Sequence, residues 1–106
     1  MIAFDLDGTL AEYHGWKGVS HIGAPVPKMI DRLLFHIENG DECIIFTSRV
    51  GHDDVHQNTM AEHHISKWLR DNDLPYMKIT ARKLPGIRLF YDDRAIHVEK
   101  NLGVMV

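Results

Sequence analysis

The sequence predicts an α/β fold, a three-layer α/β/α sandwich around a mainly parallel sheet. Three observations predict it. Short apolar runs recur and end in polar residues: "MIAFD" at 1–5, "ECIIFTS" at 42–48, "LPYMKIT" at 74–80 and "IRLFYDD" at 87–93. Between them lie stretches whose apolar residues repeat at helical spacing. Two crossovers of about thirty residues have the length of a β–α–β unit, and right-handed crossovers stack such units into layers. With 106 residues and 44% hydrophobic content, the chain predicts one domain, 1–106, around one core.

Each element follows from its own residues. Residues 1–5 form a short apolar strand. Residues 10–26, "LAEYHGWKGVSHIGAPV", carry three glycines and two aromatics without a clear period, and read as a flap. From Pro27 the spacing becomes helical, with Ile30, Leu33, Leu34 and Ile37 on one face and "NGD" at 39–41 as the stop. Residues 42–48 are a continuous apolar run, the pattern of a strand covered on both faces. "RVGHDDVHQN" reads as a polar loop. Thr59-x-x-Glu62 then reads as a capping box opening a second helix, which buries Ala61, Ile65, Trp68 and Leu69 and ends near Asn72. Residues 74–80 and 87–93 are strands separated by the loop "ARKLPG". A short helix through Leu102, stopped by Gly103, and a last strand "VMV" complete the expected order.

The formal net charge is -3, so no global basic field recruits nucleic acid or anionic membrane. The single cysteine, Cys43, lies inside "CIIF" and reads as a buried small hydrophobe in a reducing compartment. No signal peptide is expected ahead of an acidic motif at residue five. No apolar stretch approaches the ~20 residues that span a bilayer. The expectation is a soluble, cytoplasmic chain. Eight histidines occupy positions 14, 21, 36, 52, 56, 63, 64 and 97. They lack the His-x-x-x-His-plus-carboxylate pattern of a zinc protease and read as solvated or loop residues.

The polar residues that end the strands carry the functional signal. Asp5 and Asp7 follow the first strand, Thr47, Ser48 and Arg49 the second, and Asp92 and Asp93 the fourth. In a parallel sheet these all lie at one edge, beyond the carboxyl ends of the strands, where ligands bind. Two carboxylates about 4 Å apart at an effective dielectric near 20 oppose each other by roughly 4 kcal/mol, so the cluster calls for a neutralising partner. Asp53–Asp54 is a competing pair, but it follows a glycine loop and not an apolar strand. An EF-hand reading of "DLDG" fails because Gly8 is only fourth from Asp5.

"DLDGT", "IIFTSR", a later lysine and "LFYDD" resemble, in order, the four motifs of the haloacid dehalogenase superfamily of phosphohydrolases, and the resemblance runs from residue 1 to about 98. It implies a Rossmann-like sheet and, since the flap 10–26 and one helix and strand fill the two insertion points, no cap domain. It implies Asp5 as nucleophile, forming an aspartyl-phosphate, and Asp7 as general acid and then base. It implies Mg²⁺ as cofactor, held by Asp5, the backbone carbonyl of Asp7, Asp92 and Asp93, a donor set that suits a hard cation. Thr47, with Ser48 and Arg49 beside it, would hold phosphate oxygens, and Lys83 would stabilise the phosphoryl charge. Lys78 and Lys67 are rivals for the motif lysine.

"DDRAIHVEKNLGVMV", "TSR" and "WLRDNDLP" are similar to the phosphatase half of phage-type polynucleotide kinase-phosphatases, where Arg49 and Arg94 match basic positions. This implies nucleotides or 3′-phosphorylated nucleic-acid ends as substrates. Tyr13, Trp16 and Lys17 in the flap could stack on a base or sugar and touch phosphate. Trp16 could equally pin the flap to the core. No G-x-x-x-x-G-K-[ST] loop occurs, so the chain carries no fused kinase. Compact phosphatases of sugar metabolism also show "DDRA", so a sugar-phosphate phosphatase or phosphotransferase is the alternative. A non-catalytic binding module on the same fold is a third reading. An open site leaves room for covering by another subunit, so an oligomer is possible.

Overall fold

The computed structural model describes residues 1–106, and its regular elements follow the apolar runs. Strands β1 (Ile2–Phe4), β2 (Cys43–Phe46), β3 (Ile79–Thr80) and β4 (Leu89–Tyr91) form one sheet in the order β3-β2-β1-β4, parallel throughout. Helix α1 (Pro27–Glu38) connects β1 to β2, and helix α2 (Val55–Asp71) connects β2 to β3. No helix is long and apolar enough to cross a membrane.

α1 begins at Pro27, where a proline forfeits no helical hydrogen bond and its fixed φ suits the first turn. It stops at Asn39, whose side-chain amide donates to Phe35 O at 2.7 Å, and Gly40 follows at φ 83°. α2 begins one turn earlier than expected, at Val55 and not at Thr59. Asp54 is the cap: its Oδ1 accepts from the His56 amide at 2.9 Å. The first turn, "VHQN", is exposed or half-exposed and needs no apolar stripe, which is why pattern alone reads it as loop. Thr59 and Glu62 lie inside the helix. The expected apolar face of α2 holds, since Ala61, Ile65, Trp68 and Leu69 are all buried.

Ile2 and Phe4 of β1 sit level with Cys43 and Ile45 of β2, and with Ile79 of β3 they meet Leu33 of α1 and Ile65, Trp68 and Leu69 of α2 in one core. Both helices therefore cover the same face. Alternation sends Ala3, Ile44, Phe46 and Phe90 to the other face. There Phe46 and Phe90 pack edge to face at 5.5 Å, and Phe90 stays 39% exposed. The described elements thus make two layers, a sheet and a helical layer; no helix of the chain forms the expected third.

Two other expectations change. After β4 no helix forms. Asn101 at φ 67° and Gly103 at φ 68° turn the chain, Glu99 N donates to Val104 O at 2.8 Å, and Val98 and Met105 form an antiparallel bridge. Left-handed backbone at two nearby positions cannot continue a helix. His36 is not solvated: it is buried in α1, with Nδ1 2.9 Å from the Asp41 carboxylate and Nε2 2.9 Å from Tyr91 Oη. Arg88 meets the other Asp41 oxygen at 3.1 Å. This network braces β4 beside β1, where Phe4 and Tyr91 stack at 4.7 Å. Cys43 is buried as expected, and burial pushes its thiol pKa up.

Candidate functional site

Register assembles the site. Phe4 pairs with Ile45 on one side and with Tyr91 on the other, so the next residues, Asp5, Phe46 and Asp92, lie in a row at the carboxyl edge. The Asp5 amide continues the ladder, donating to Tyr91 O at 2.8 Å. Neighbouring strands lie about 4.8 Å apart, so side chains leaving adjacent strand ends come within reach of one another. Carboxylate oxygens of Asp5, Asp92 and Asp93 all lie within 4.8 Å of one another, a spacing that could hold a metal ion.

The turn after β1 makes room for this cluster. Gly8 adopts φ 88°, and a Cβ there would lie 2.6 Å from Asp93 Oδ2, so glycine is needed both for the backbone and for the approach of Asp93. Thr9 ties the two chain segments. Its hydroxyl lies 3.3 Å from Asp5 Oδ2 and 3.0 Å from Asp93 Oδ1, and its oxygen accepts from the Asp93 amide at 3.0 Å. Asp92 Oδ1 accepts from the Arg94 amide at 2.9 Å, the capping role that a strand-terminal Asp commonly takes, although no helix follows.

Burial, the hydrogen bond from Asp93 and the charges of Asp92 and Asp93 together push the Asp5 pKa up to about 7. A carboxylate shifted first by burial and then by two neighbouring carboxylates is the kind of group that gathers at functional sites. The cleft above it, about 450 Å³, is lined by Asp5, Asp7, Asp92 and Asp93 against the cations Arg49 and Arg94, with Thr47, Ser48 and His52 on the β2 side. Four carboxylates outnumber two guanidinium groups, so the cleft retains room for cationic charge.

Asp7 is placed apart from the three-carboxylate cluster. Arg49 Nε donates to its Oδ2 at 2.7 Å and Nη2 to its Oδ1 at 2.9 Å, a two-pronged pair. Arg49 is itself buried on the short 3-10 turn Ser48–Val50 that follows β2. Thr47 is buried at the start of that turn and lines the cleft, and its Oγ1 accepts from the Arg49 amide at 3.2 Å. Ser48 is exposed on the cleft rim.

The three lysines fare differently. Lys67 pairs with Asp71 at 2.6 Å on the outer face of α2. Lys78 is exposed just before β3. Lys83 lies over the Phe90 ring at 5.3 Å, in a groove on the open face of the sheet that shares Phe46 and Asp92 with the Asp5 cleft. None of the three lines the Asp5 cleft itself. Lys83 is at its border.

The flap arches beside this cleft. Its feet are paired: Glu12 N donates to Ala24 O and Val26 N to Leu10 O, both at 2.8 Å. Trp68 of α2 donates from Nε1 to Gly23 O at 2.8 Å, so Trp68 fixes one foot to the core. Trp16 instead lies over the Arg49 guanidinium at 4.8 Å and stays 58% exposed. Tyr13 and Trp16 both line the Asp5 cleft. A threonine four residues after Asp5 gives no sign, in the sequence, of the link to Asp93. In comparisons with known proteins, the chain matches no family model, no curated protein and no solved structure.

Proposed function

We propose that this chain is a Mg²⁺-dependent phosphomonoester hydrolase that works through an aspartyl-phosphate on Asp5. The observation that carries the reading is the meeting of Asp5, Asp92 and Asp93 at one sheet edge, with oxygens within 4.8 Å and Asp5 pushed up to about 7. The donor set fits the cofactor, since Mg²⁺ takes a few carboxylates and completes its shell with water and phosphate oxygens. When bound, Mg²⁺ supplies the positive charge that lets an anionic phosphoester approach an anionic nucleophile.

The residues divide the remaining work. An Asp5 oxygen attacks phosphorus, the P–O ester bond breaks, and Asp7, entering this step protonated, gives its proton to the departing alkoxide. Asp7 then takes a proton from water, whose oxygen attacks phosphorus. The bond to Asp5 breaks and inorganic phosphate leaves. Thr47 offers its hydroxyl to a phosphate oxygen, and Lys83 reaches the same group by swinging its long side chain off Phe90. A capless three-layer sandwich belongs to this proposal as well, with the Ala3–Ile44–Phe46–Phe90 face as the side a third layer would occupy.

Nucleotides or 3′-phosphorylated nucleic-acid ends are the favoured substrates. Exposed Trp16 and Tyr13 beside the Asp5 cleft offer flat faces on which a base can stack. The test is phosphate release from an aryl phosphate, from nucleotides, from 3′-phosphorylated oligonucleotides and from sugar phosphates, with and without Mg²⁺. Release that requires Mg²⁺ and falls about a thousandfold or more in Asp5→Asn supports the reading. Full activity in Asp5→Asn, or no release from any member of the panel, rejects it.

A further inference from the structure

Arg49 was expected to hold substrate phosphate, and its hydrogen bonds argue for a different task. A guanidinium has five N–H donors. Here Nε and Nη2 hold the two Asp7 oxygens, Nη2 also donates to His21 O at 2.9 Å, and Nη1 donates to Val19 O at 3.2 Å. Four donors are thereby committed, and the indole of Trp16 covers the guanidinium plane at 4.8 Å. Val19, His21 and Trp16 all belong to the flap, whereas Arg49 follows β2 and Asp7 follows β1. One buried side chain therefore ties Asp7 and the turn after β2 to the far limb of the flap at Val19 and His21. A phosphate could engage Arg49 fully only by displacing Asp7 or the flap.

We infer that Arg49 is a positioning residue that couples the flap to Asp7: it fixes the Asp7 carboxylate only while the flap backbone is seated on it. Its catalytic consequence rests on the reading of Asp7 as the proton donor and acceptor beside Asp5; the coupling itself does not. Asp7 and the flap residues Val19 and His21 share no hydrogen bond except through this guanidinium. Loosening either partner frees the other.

Lys17, exposed at the flap tip, provides the readout, because trypsin cuts there only when the flap opens far enough to enter its active site. Cleavage after Lys17 is followed in the wild type, Asp7→Ala, Asp7→Asn and Arg49→Lys, with circular dichroism melts establishing that each variant is folded. Loss of a two-pronged charged pair predicts cleavage about tenfold faster in Asp7→Ala, although residue 7 lies outside the flap. Asp7→Asn, which keeps one acceptor oxygen, falls between. Arg49→Lys keeps the charge but cannot span both partners, and it behaves like Asp7→Ala. Wild-type cleavage rates in folded Asp7→Ala and Asp7→Asn overturn the coupling. In the hydrolase assay, Arg49→Lys lowers kcat with KM close to wild type. A raised KM at unchanged kcat would make Arg49 a substrate ligand and also overturn the inference. Should the wild type release no phosphate at all, the proposed reaction fails, and the cleavage rates still decide the coupling.

Discussion

The residue at the centre of the site is Asp5, and its environment makes a prediction that needs no substrate. Its pKa is pushed up to about 7 by burial, the Asp93 hydrogen bond and the charges of Asp92 and Asp93. The folded chain then binds more protons than the unfolded one between the ordinary value of 3.8 and about 7, so stability falls as pH rises through that window. Asp41 has the opposite sign: its hydrogen bonds to His36 and Arg88 lower its pKa, so its contribution is present above 3.8 and is lost below it. The two windows do not overlap. Thermal melts without divalent cation should therefore show Tm falling from pH 5 to pH 8 in the wild type. Asp5→Asn, which carries no charge to suppress, should show a flatter profile and exceed the wild type at pH 8. Thr9 makes a second prediction at this scale. Removing the hydroxyl that lies between Asp5 and Asp93 in Thr9→Val should weaken Mg²⁺ binding by about tenfold, measured by calorimetric titration.

At the scale of elements, the periodic segments were legible and the turns were not. The stripe of α2 could be read residue by residue because burial repeats every turn, and Ala61, Ile65, Trp68 and Leu69 are the residues that pack. Its beginning was misplaced because a capping aspartate satisfies free amides without leaving any apolar signal. Asp54→Ala should cost about 1 kcal/mol in denaturant unfolding, and Thr59→Ala much less, the reverse of what a capping box at Thr59 would give. The segment after β4 was read as a short helix stopped by Gly103, yet Asn101 and Gly103 both take left-handed backbone. His36 was passed over as one histidine among many, although Leu33 one turn before it already marked that side of α1 as buried. Gly8 belongs to this scale too. Gly8→Ala meets both a positive φ and the Asp93 carboxylate, so it should destabilise the fold by about 1–3 kcal/mol and also weaken Mg²⁺ binding, read from unfolding curves and titration on the same sample.

For the whole molecule, the sheet was legible because strands that run parallel must bring their carboxyl ends to one edge. That single consequence placed Asp5 beside Asp92 before any coordinates did. The layers were less legible. The continuous apolar run "CIIF" implies cover on both faces, and Ile44 is indeed buried, but both helices pack on the Cys43–Ile45 side. The lysine was the least legible part of the site, because a long flexible side chain in a loop follows no period; Lys83 sits across the Phe46–Asp92 border from the cleft and not inside it. The central claim, that the Asp5–Asp92–Asp93 cluster is a dication site, has one direct measurement. Crystals soaked in Mn²⁺ and recorded at a wavelength where it scatters anomalously would place the ion. The account predicts one peak at coordination distance from the Asp5 and Asp92 carboxylates, lost in Asp92→Asn. A vacant cluster at millimolar Mn²⁺, or a peak at other carboxylates such as Asp53 and Asp54, would contradict it.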